Sequence, residues 1–225
     1  MSKTNLVVAA ALLTVSGLLS AGTIADVCGT GYSAGCGGLL GTTGTSQDGN
    51  WVLATGTAVE TVPSSPFVTD NSTYPFGPWV ADTGSAEWIS PKGTYSSSGG
   101  GDAVGTFTYT ETFSLAGYNL STVDLTGEFA NDNIGEIWLN GVDTGVGSTH
   151  LAFFTGFNLT SGFNSGVNTI EFVVTNTSAT GANPSGLIVE LTGTGSLNTV
   201  PEPASFAFIG LGLGALGLLG RRLRS

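Results

Sequence analysis

The sequence predicts an all-β fold, an antiparallel β-sandwich over residues 51–196, and three observations predict it. Gly accounts for 36 of 225 residues and charged residues for only 9%, which favours strands joined by tight turns over helices. Twelve Phe, five Tyr and four Trp supply apolar surface for a core. Several short runs alternate apolar and polar residues with the period of two that half-buried strands show.

The strand signals follow one another from Trp51 to the end of the predicted domain. The clearest alternating runs lie at residues 107–115, 123–130, 170–175 and 187–191. Turn signals rich in Asn, Pro and Gly separate them, at residues 131–133, 140–141, 164–166 and 183–186. Roughly seven to nine short strands in a domain of this size are typical of a sandwich.

One residue departs from this alternation. Glu111 falls on the apolar face that Tyr109 and Phe113 share. Either a β-bulge shifts the register at this point, or the carboxyl group has a hydrogen-bonding partner in the core.

Residues 26–50 form a Gly- and Thr-rich segment that contains both cysteines, Cys28 and Cys36. In an exported protein, two cysteines this close in sequence are expected to form a disulfide. The alternative is a metal site, which two thiols without a neighbouring His or a further Cys supply poorly.

The N-terminus has the parts of a secretory signal peptide, predicted over residues 1–25. Lys3 gives a positive start, residues 6–19 are apolar, and small residues follow at 20–25. The apolar run is short for a transmembrane helix. We therefore expect export through the Sec translocon and a mature chain that begins between Gly22 and Asp26.

Basic residues are nearly missing from the body of the chain. Between Asp26 and Val200 the only one is Lys92, against fifteen acidic residues, which gives a formal charge of about −14. Such a surface repels phosphate backbones and excludes nucleic-acid binding. It keeps a protein soluble and could also attract divalent cations.

The C-terminal region, residues 197–225, has three consecutive parts. Two prolines give a non-helical lead-in, residues 204–220 are uncharged, and arginines end the chain. As a helix, residues 204–220 would extend about 25 Å, which suits an inner-membrane anchor with the arginines on the cytoplasmic side. The motif residues are Pro201, Glu202, Pro203, Arg221, Arg222 and Arg224.

This order of parts resembles the PEP-CTERM sorting signal of Gram-negative bacteria. The resemblance implies that an exosortase, an integral-membrane enzyme similar to a transpeptidase, recognises the tail and cleaves near Pro-Glu-Pro. It also implies an inner-membrane-anchored precursor. The final location would be the cell surface, the outer membrane or an extracellular matrix of exopolysaccharide and biofilm.

Residues 104–192 resemble the galactose-binding-like jelly roll, a sugar-binding module found beside glycoside hydrolases of the β-galactosidase type. The resemblance rests on a strand that ends in an Asn-Gly turn at residues 139–141. It also rests on a Gly-x-Asn-x-apolar element that opens a later strand at residues 166–170. It implies a jelly-roll sandwich, and such modules often hold one structural Ca²⁺.

Catalytic motifs are not found in the sequence. The one histidine, His150, follows a Gly-Ser-Thr turn, and nothing in the sequence marks a nucleophile or an acid to accompany it. We therefore expect a protein that is not an enzyme. The enzymatic alternative is a small glycosidase, which requires two carboxylates about 5 to 10 Å apart in a cleft.

Sugar binding requires exposed aromatic rings beside polar groups. Strand parity places Trp138 on a polar face with Glu136 and Asn140, while Trp79 and Tyr74 lie in a Pro-rich loop. These three aromatic residues are the candidates for sugar binding, and packing in the core is the alternative for each tryptophan.

A calcium site is the other candidate. Asp132 and Asp143, with Asn131 and Asn133, offer oxygen ligands of the kind that Ca²⁺ binds.

The leading hypothesis is an exported surface or matrix protein that binds carbohydrate, including exopolysaccharide, without catalysis. A structural matrix protein without a small ligand is the alternative, and it predicts buried tryptophans and no exposed aromatic groove.

Overall fold

The computed structural model describes residues 21–73, 77–178, 183–198, 210 and 212–214. Within them the chain forms a short 3₁₀ helix, Leu120–Thr122, and a series of strands. The strands are β1 Gly22–Thr23, β2 Trp51–Thr55, β3 Phe67–Val68, β4 Ile89–Ser90, β5 Gly105–Ser114, β6 Asp124–Asp132, β7 Ile134–Leu139, β8 Val142–Ser148, β9 Thr155–Leu159, β10 Val167–Asn176 and β11 Gly186–Gly195.

The strands form two antiparallel sheets. The five-stranded sheet has the order β2-β5-β10-β7-β8, and the six-stranded sheet has the order β3-β4-β11-β6-β9, with β1 also paired to β11. From β5 onwards the chain passes repeatedly from one sheet to the other, as it does in a jelly roll. The predicted fold class, an all-β jelly-roll sandwich, is therefore confirmed.

The core lies between the inner faces of the two sheets. Trp51, Phe107, Phe129 and Phe172 are completely buried there. The Phe172 ring meets the rings of Trp51 and Phe129 edge to face, with centroid distances of 5.6 and 5.2 Å. Such contacts add to the free energy gained by removing the rings from water.

A second, smaller hydrophobic cluster covers part of the outer face of the six-stranded sheet. Ala130 and Ile188 pair across β6 and β11 and point outwards, and Trp79, Ala86 and Trp88 lie over them. The two tryptophan rings are stacked at 4.1 Å. Loops therefore form a third layer on this side of the molecule.

Glu111 belongs to the core and has a partner. The pairing of β5 with β10 runs without a shift from Gly105 to Ser114, so no bulge moves the residue outwards. One carboxylate oxygen accepts a hydrogen bond of 3.1 Å from the backbone N–H of Cys28. Burial raises the pKa of Glu111 well above its ordinary value, and this hydrogen bond offsets the rise only in part. Of the two sequence alternatives, the hydrogen-bonded one is correct.

The N-terminal segment packs onto the sandwich. Ile24 is 1% exposed and belongs to the main core. The Thr30 hydroxyl donates to the carbonyl of Glu87 at 2.7 Å and accepts from the N–H of Val189 at 3.0 Å. Cys28 and Cys36 are joined in a disulfide with a Cα–Cα distance of 5.8 Å.

Most of the two predicted sorting regions lies outside the described residues. This applies to residues 1–20 of the signal peptide and to all six residues of the sorting motif. Gly210 and residues 212–214 are helical. In the portion that is described, no helix combines the length and the apolar character needed to cross a bilayer.

Candidate binding face

Trp138 lies on the solvent side of the five-stranded sheet. Its strand, β7, alternates buried Gly135, Ile137 and Leu139 with outward-facing residues, and Trp138 is half-buried among the latter. Strand parity predicted this placement.

A tight turn holds the end of this strand. Asn140 and Gly141 both have positive φ, 53° and 77°, as the predicted Asn-Gly hairpin turn requires. The Asn140 amide donates to the side chain of Asn168 at 2.9 Å and accepts from the N–H of Thr169 at 3.0 Å. The turn is thus tied to β10, whose pairing with β7 runs without a shift from Ile134 to Leu139, whereas the pairing of β7 with β8 shifts its register between Glu136 and Trp138.

A row of outward-facing residues crosses the sheet through Trp138. Glu171 of β10 lies directly across from Trp138 on one side, and Asp143 of β8 lies across from it on the other. Thr110 is opposite Glu171, and Val52 is opposite Thr110. Since neighbouring strands are about 4.8 Å apart, the row measures about 19 Å across the five strands. We call these five residues the transverse row.

Trp138 presents mainly carbon to solvent. Its indole nitrogen is buried and has no hydrogen-bond partner among the described residues. The part of the ring that remains accessible is therefore apolar, which is the surface that stacks on the C–H face of a sugar ring. Hydroxyl and carboxylate groups of Thr110, Glu171 and Asp143 lie in the same row, where they can bind sugar hydroxyls.

The other two predicted aromatic residues do not share this face. Trp79 is only 5% exposed, it stacks on Trp88, and its indole N–H donates to Asp132 at 2.8 Å. The expectation that Trp79 binds sugar is corrected, because the loop that carries it folds back on the six-stranded sheet. Tyr74 lies outside the described residues.

The two predicted calcium ligands lie on different sheets. Asp132 is the last residue of β6 in the six-stranded sheet and is 5% exposed. Its carboxylate accepts the hydrogen bond from the indole N–H of Trp79. Asp143 is exposed in β8 of the five-stranded sheet and accepts from the N–H of Gly145 at 2.8 Å. Neither belongs to a group of three or more acidic, His or Cys ligands in the described residues.

One such group does occur in the described residues, and it consists of Cys28, Cys36 and Glu111. Its two sulfur atoms are joined to each other in the disulfide. Metal binding by cysteine requires the thiolate, so the disulfide occupies the two atoms that a metal would need.

A candidate for the acid pair that a glycosidase would require lies on the six-stranded sheet, away from Trp138. Glu128 and Glu190 are directly opposite each other on the outer face of the six-stranded sheet, where they line an open cleft of about 220 Å³. His150 is remote in sequence from both and stacks on Phe153 at 3.9 Å. The glutamate pair has no aromatic residue in the cleft lining.

Sequence reasoning found Trp138 but missed three members of the transverse row: Val52, Thr110 and Glu171. Each belongs to a period-two run, so its outward direction could be read from the sequence. The pairing that brings them into one line could not, because it depends on the register between strands far apart in the chain.

Solved structures with a similar fold include several carbohydrate-binding modules. A mutant of the family 29 module CBM29-2 has 11% identity and a TM-score of 0.33, with 76% of this chain and 92% of that chain covered. The CBM36-1 domain of a multidomain xylanase, from the hindgut metagenome of Trinervitermes trinervoides, has 10% identity and a TM-score of 0.30, with 80% and 100% covered. The family 11 module from Clostridium thermocellum, solved with a β-1,3-1,4-mixed-linked tetrasaccharide, has 15% identity and a TM-score of 0.33, with 76% and 99% covered.

Sequence comparison identifies the tail. No protein with a curated description matches the chain. Residues 199–225 match the family described as the PEP-CTERM protein-sorting motif. The expected resemblance is confirmed: the chain carries a PEP-CTERM sorting motif at its C-terminus, which marks it as an exported protein sorted by an exosortase.

Proposed function

We propose that the sandwich binds an extended polysaccharide without catalysis, across the outer face of the five-stranded sheet. The observation that carries the proposal is the transverse row, with the carbon face of Trp138 between Glu171 and Asp143. An aromatic platform with hydrogen-bonding groups on both sides matches the alternation of apolar ring faces and hydroxyl edges in a sugar chain.

The shape of the face supports an extended ligand over a small one. The row crosses the whole sheet, about 19 Å at ordinary strand spacing, and its far end at Val52 is 55% exposed. At the other end, Asp143 also lines a cleft of about 340 Å³ at the edge of the sandwich, between β8 and β9. In our proposal the polymer follows the row from Val52 to this cleft.

Sorting determines where this binding takes place. In our proposal the Sec translocon exports the chain, residues 204–220 hold the precursor in the inner membrane, and exosortase cleavage near Pro201-Glu202-Pro203 removes the tail. The arginines at 221, 222 and 224 keep the end of the chain in the cytoplasm until then. The domain would then act at the cell surface, the outer membrane or in the exopolysaccharide matrix of a biofilm.

The binding proposal is tested with the mature exported protein and its Trp138→Ala variant. Affinity gel electrophoresis in neutral β-glucan, xylan and galactan gels, with Ca²⁺ or with EDTA, would reveal retardation. We expect at least one polymer to retard the wild type and the variant to lose about tenfold in affinity, since a ring contact of about 1.5 kcal/mol corresponds to roughly that factor.

Phe153→Ala is the matched control, because Phe153 is an aromatic residue that is 54% exposed but lies outside the transverse row. Equal losses in both variants would contradict a site at Trp138. Retardation that EDTA abolishes would show that a cation takes part in binding.

A structural matrix protein is the second candidate, and one observation favours it. Trp51, Trp79 and Trp88 are all buried, so three of the four tryptophans have the fate that this alternative predicts. It differs from the first proposal in one measurable way: none of the polysaccharides would bind, and Trp138→Ala would change nothing but the folding stability.

The sorting proposal has its own test. Replacing Pro201 and Pro203 with alanine should leave the precursor in the membrane fraction with its tail attached, whereas the wild type should yield a shorter product. Immunoblotting of fractions detects both species. Normal shortening of the doubly substituted chain would contradict cleavage that depends on this motif.

A further inference from the structure

Carboxylates surround the aromatic platform of the proposed site. Glu171 and Asp143 lie one strand away from Trp138 on opposite sides, and Glu136 lies two positions along the same strand. Ordinary strand geometry places them about 5 Å and about 7 Å from Trp138 along the sheet. Every outward charge next to the platform is therefore negative.

Among the described residues His150 lines the same cleft as Glu136, but no lysine or arginine lies among these carboxylates. The five strands of this sheet contain no Lys, Arg or His. Lys92, the basic residue of the described chain, is used elsewhere, at 2.8 Å from Glu60 and 3.0 Å from Asp102. Within the described residues, no hydrogen bond or ion pair engages the side chains of Glu136 and Glu171.

We infer that the ligand of the transverse row is an amino-sugar polymer whose amines are partly unacetylated and therefore positively charged. This inference rests on the proposed function and names the class of polysaccharide. Ammonium groups form charge-assisted hydrogen bonds with Glu171 and Asp143, and those near the ring gain a cation–π contact with Trp138. A uronic-acid polymer would instead bring like charges together on this face.

The acidic pair on the other sheet does not offer the same site. Glu128 and Glu190 also face solvent side by side, but the cleft that they line has no aromatic residue. This pair supplies the matched control, because neutralising it removes negative charge from the molecule without touching the transverse row.

The test compares one polymer in two chemical states. Affinities of the mature exported protein for a glucosamine polymer with free amines, and for the same polymer after complete N-acetylation, are measured by isothermal titration calorimetry at low and at moderate salt. We expect acetylation to weaken binding at least tenfold. We expect Glu171→Gln and Asp143→Asn to weaken binding of the amine form about fivefold each, within the range of charged hydrogen bonds at accessible sites.

The controls separate this inference from the proposed function. If the acetylated and amine forms bind equally well and both need Trp138, the platform is real and the inference about charge is wrong. If the double variant Glu128→Gln and Glu190→Gln loses as much affinity as the variants of the row, the attraction is a general effect of net charge, and the inference is overturned. If neither form of the polymer nor any neutral polysaccharide binds, the proposed function itself fails.

Discussion

Asp132 is a buried carboxylate whose replacement by Asn should change how folding stability depends on pH. Burial raises the pKa of Asp132 from its ordinary value of 3.8 to about 6, although hydrogen bonds from Trp79 and Asn133 favour the ionised form. The folded protein therefore holds this proton more tightly than the unfolded chain does.

The size and sign of the effect follow from that difference. Each tenfold change in proton affinity equals about 1.4 kcal/mol, so the change from 3.8 to about 6 corresponds to about 3 kcal/mol. Below about pH 4 Asp132 is protonated in both the folded and the unfolded protein, and its contribution to the free energy of unfolding is then at its most favourable. As the pH rises from there through the folded pKa of about 6, the unfolded chain ionises first, and about 3 kcal/mol of stability is lost.

An amide at position 132 cannot ionise, so the Asp132→Asn variant should lack this part of the pH dependence. Urea denaturation followed by tryptophan fluorescence, between about pH 3 and about pH 7.5, gives the free energy of unfolding of both proteins. We expect the stability of the variant relative to the wild type to rise by about 3 kcal/mol over that range. The absolute value at one pH is less informative, because the amide also loses one acceptor oxygen.

A control with the opposite sign is available in Asp70. Hydrogen bonds from Ser72 lower the pKa of Asp70, so Asp70→Asn should make the variant relatively less stable as the pH rises. A difference between Asp132→Asn and the wild type that stays constant with pH would refute the reasoning. Burial also raises the pKa of other carboxyl groups, which should leave a residual slope in the variant; these are Asp48, Asp82, Glu87, Asp102 and Glu111.

Three further predictions concern the architecture around the site. Lys92→Met leaves the buried carboxylate of Asp102 without its ion pair, so the free energy of unfolding should fall by about 2 to 4 kcal/mol. Adding Asp102→Asn removes the unpaired charge and should restore part of that stability. Equal losses in the single and double variants would contradict this explanation. Replacing Cys28 and Cys36 with Ser should destabilise the domain by about 2.5 kcal/mol, the chain-entropy value for so short a loop, as chemical denaturation can measure. N-terminal sequencing of the exported protein should find that the mature chain begins before Ile24, because the Ile24 side chain is 1% exposed and belongs to the core. A mature chain that begins at residue 26 would show that the core forms without Ile24.

The position of Trp138 could be predicted because parity along one strand is a local property. Glu136, Trp138 and Asn140 alternate with apolar residues, and a strand turns such a pattern into two faces. The alignment with Glu171 is not local, because the pairing of β7 with β10 brings together residues far apart in sequence. Strand direction was therefore readable from the sequence, whereas the composition of the row required the fold.

The buried position of Trp79 could not be predicted from strand alternation. It lies in a loop without periodicity, so the sequence could not show that the loop would cover the outer face of the six-stranded sheet. The same holds for Glu111, whose place in the core was predictable but whose partner was not. The backbone N–H of Cys28 donates this hydrogen bond. Every residue except proline has a backbone N–H, so the sequence of side chains does not indicate which one will reach Glu111.

The scarcity of basic residues also determines how the domain withstands proteases. Enzymes that cut after lysine or arginine find one such bond between residues 26 and 200, and it follows Lys92. The side chain that they must bind is held by Glu60 and Asp102. The region between residues 26 and 200 thus offers this whole class of enzymes a single cleavage site, and in the folded domain the side chain at that site is engaged in two ion pairs.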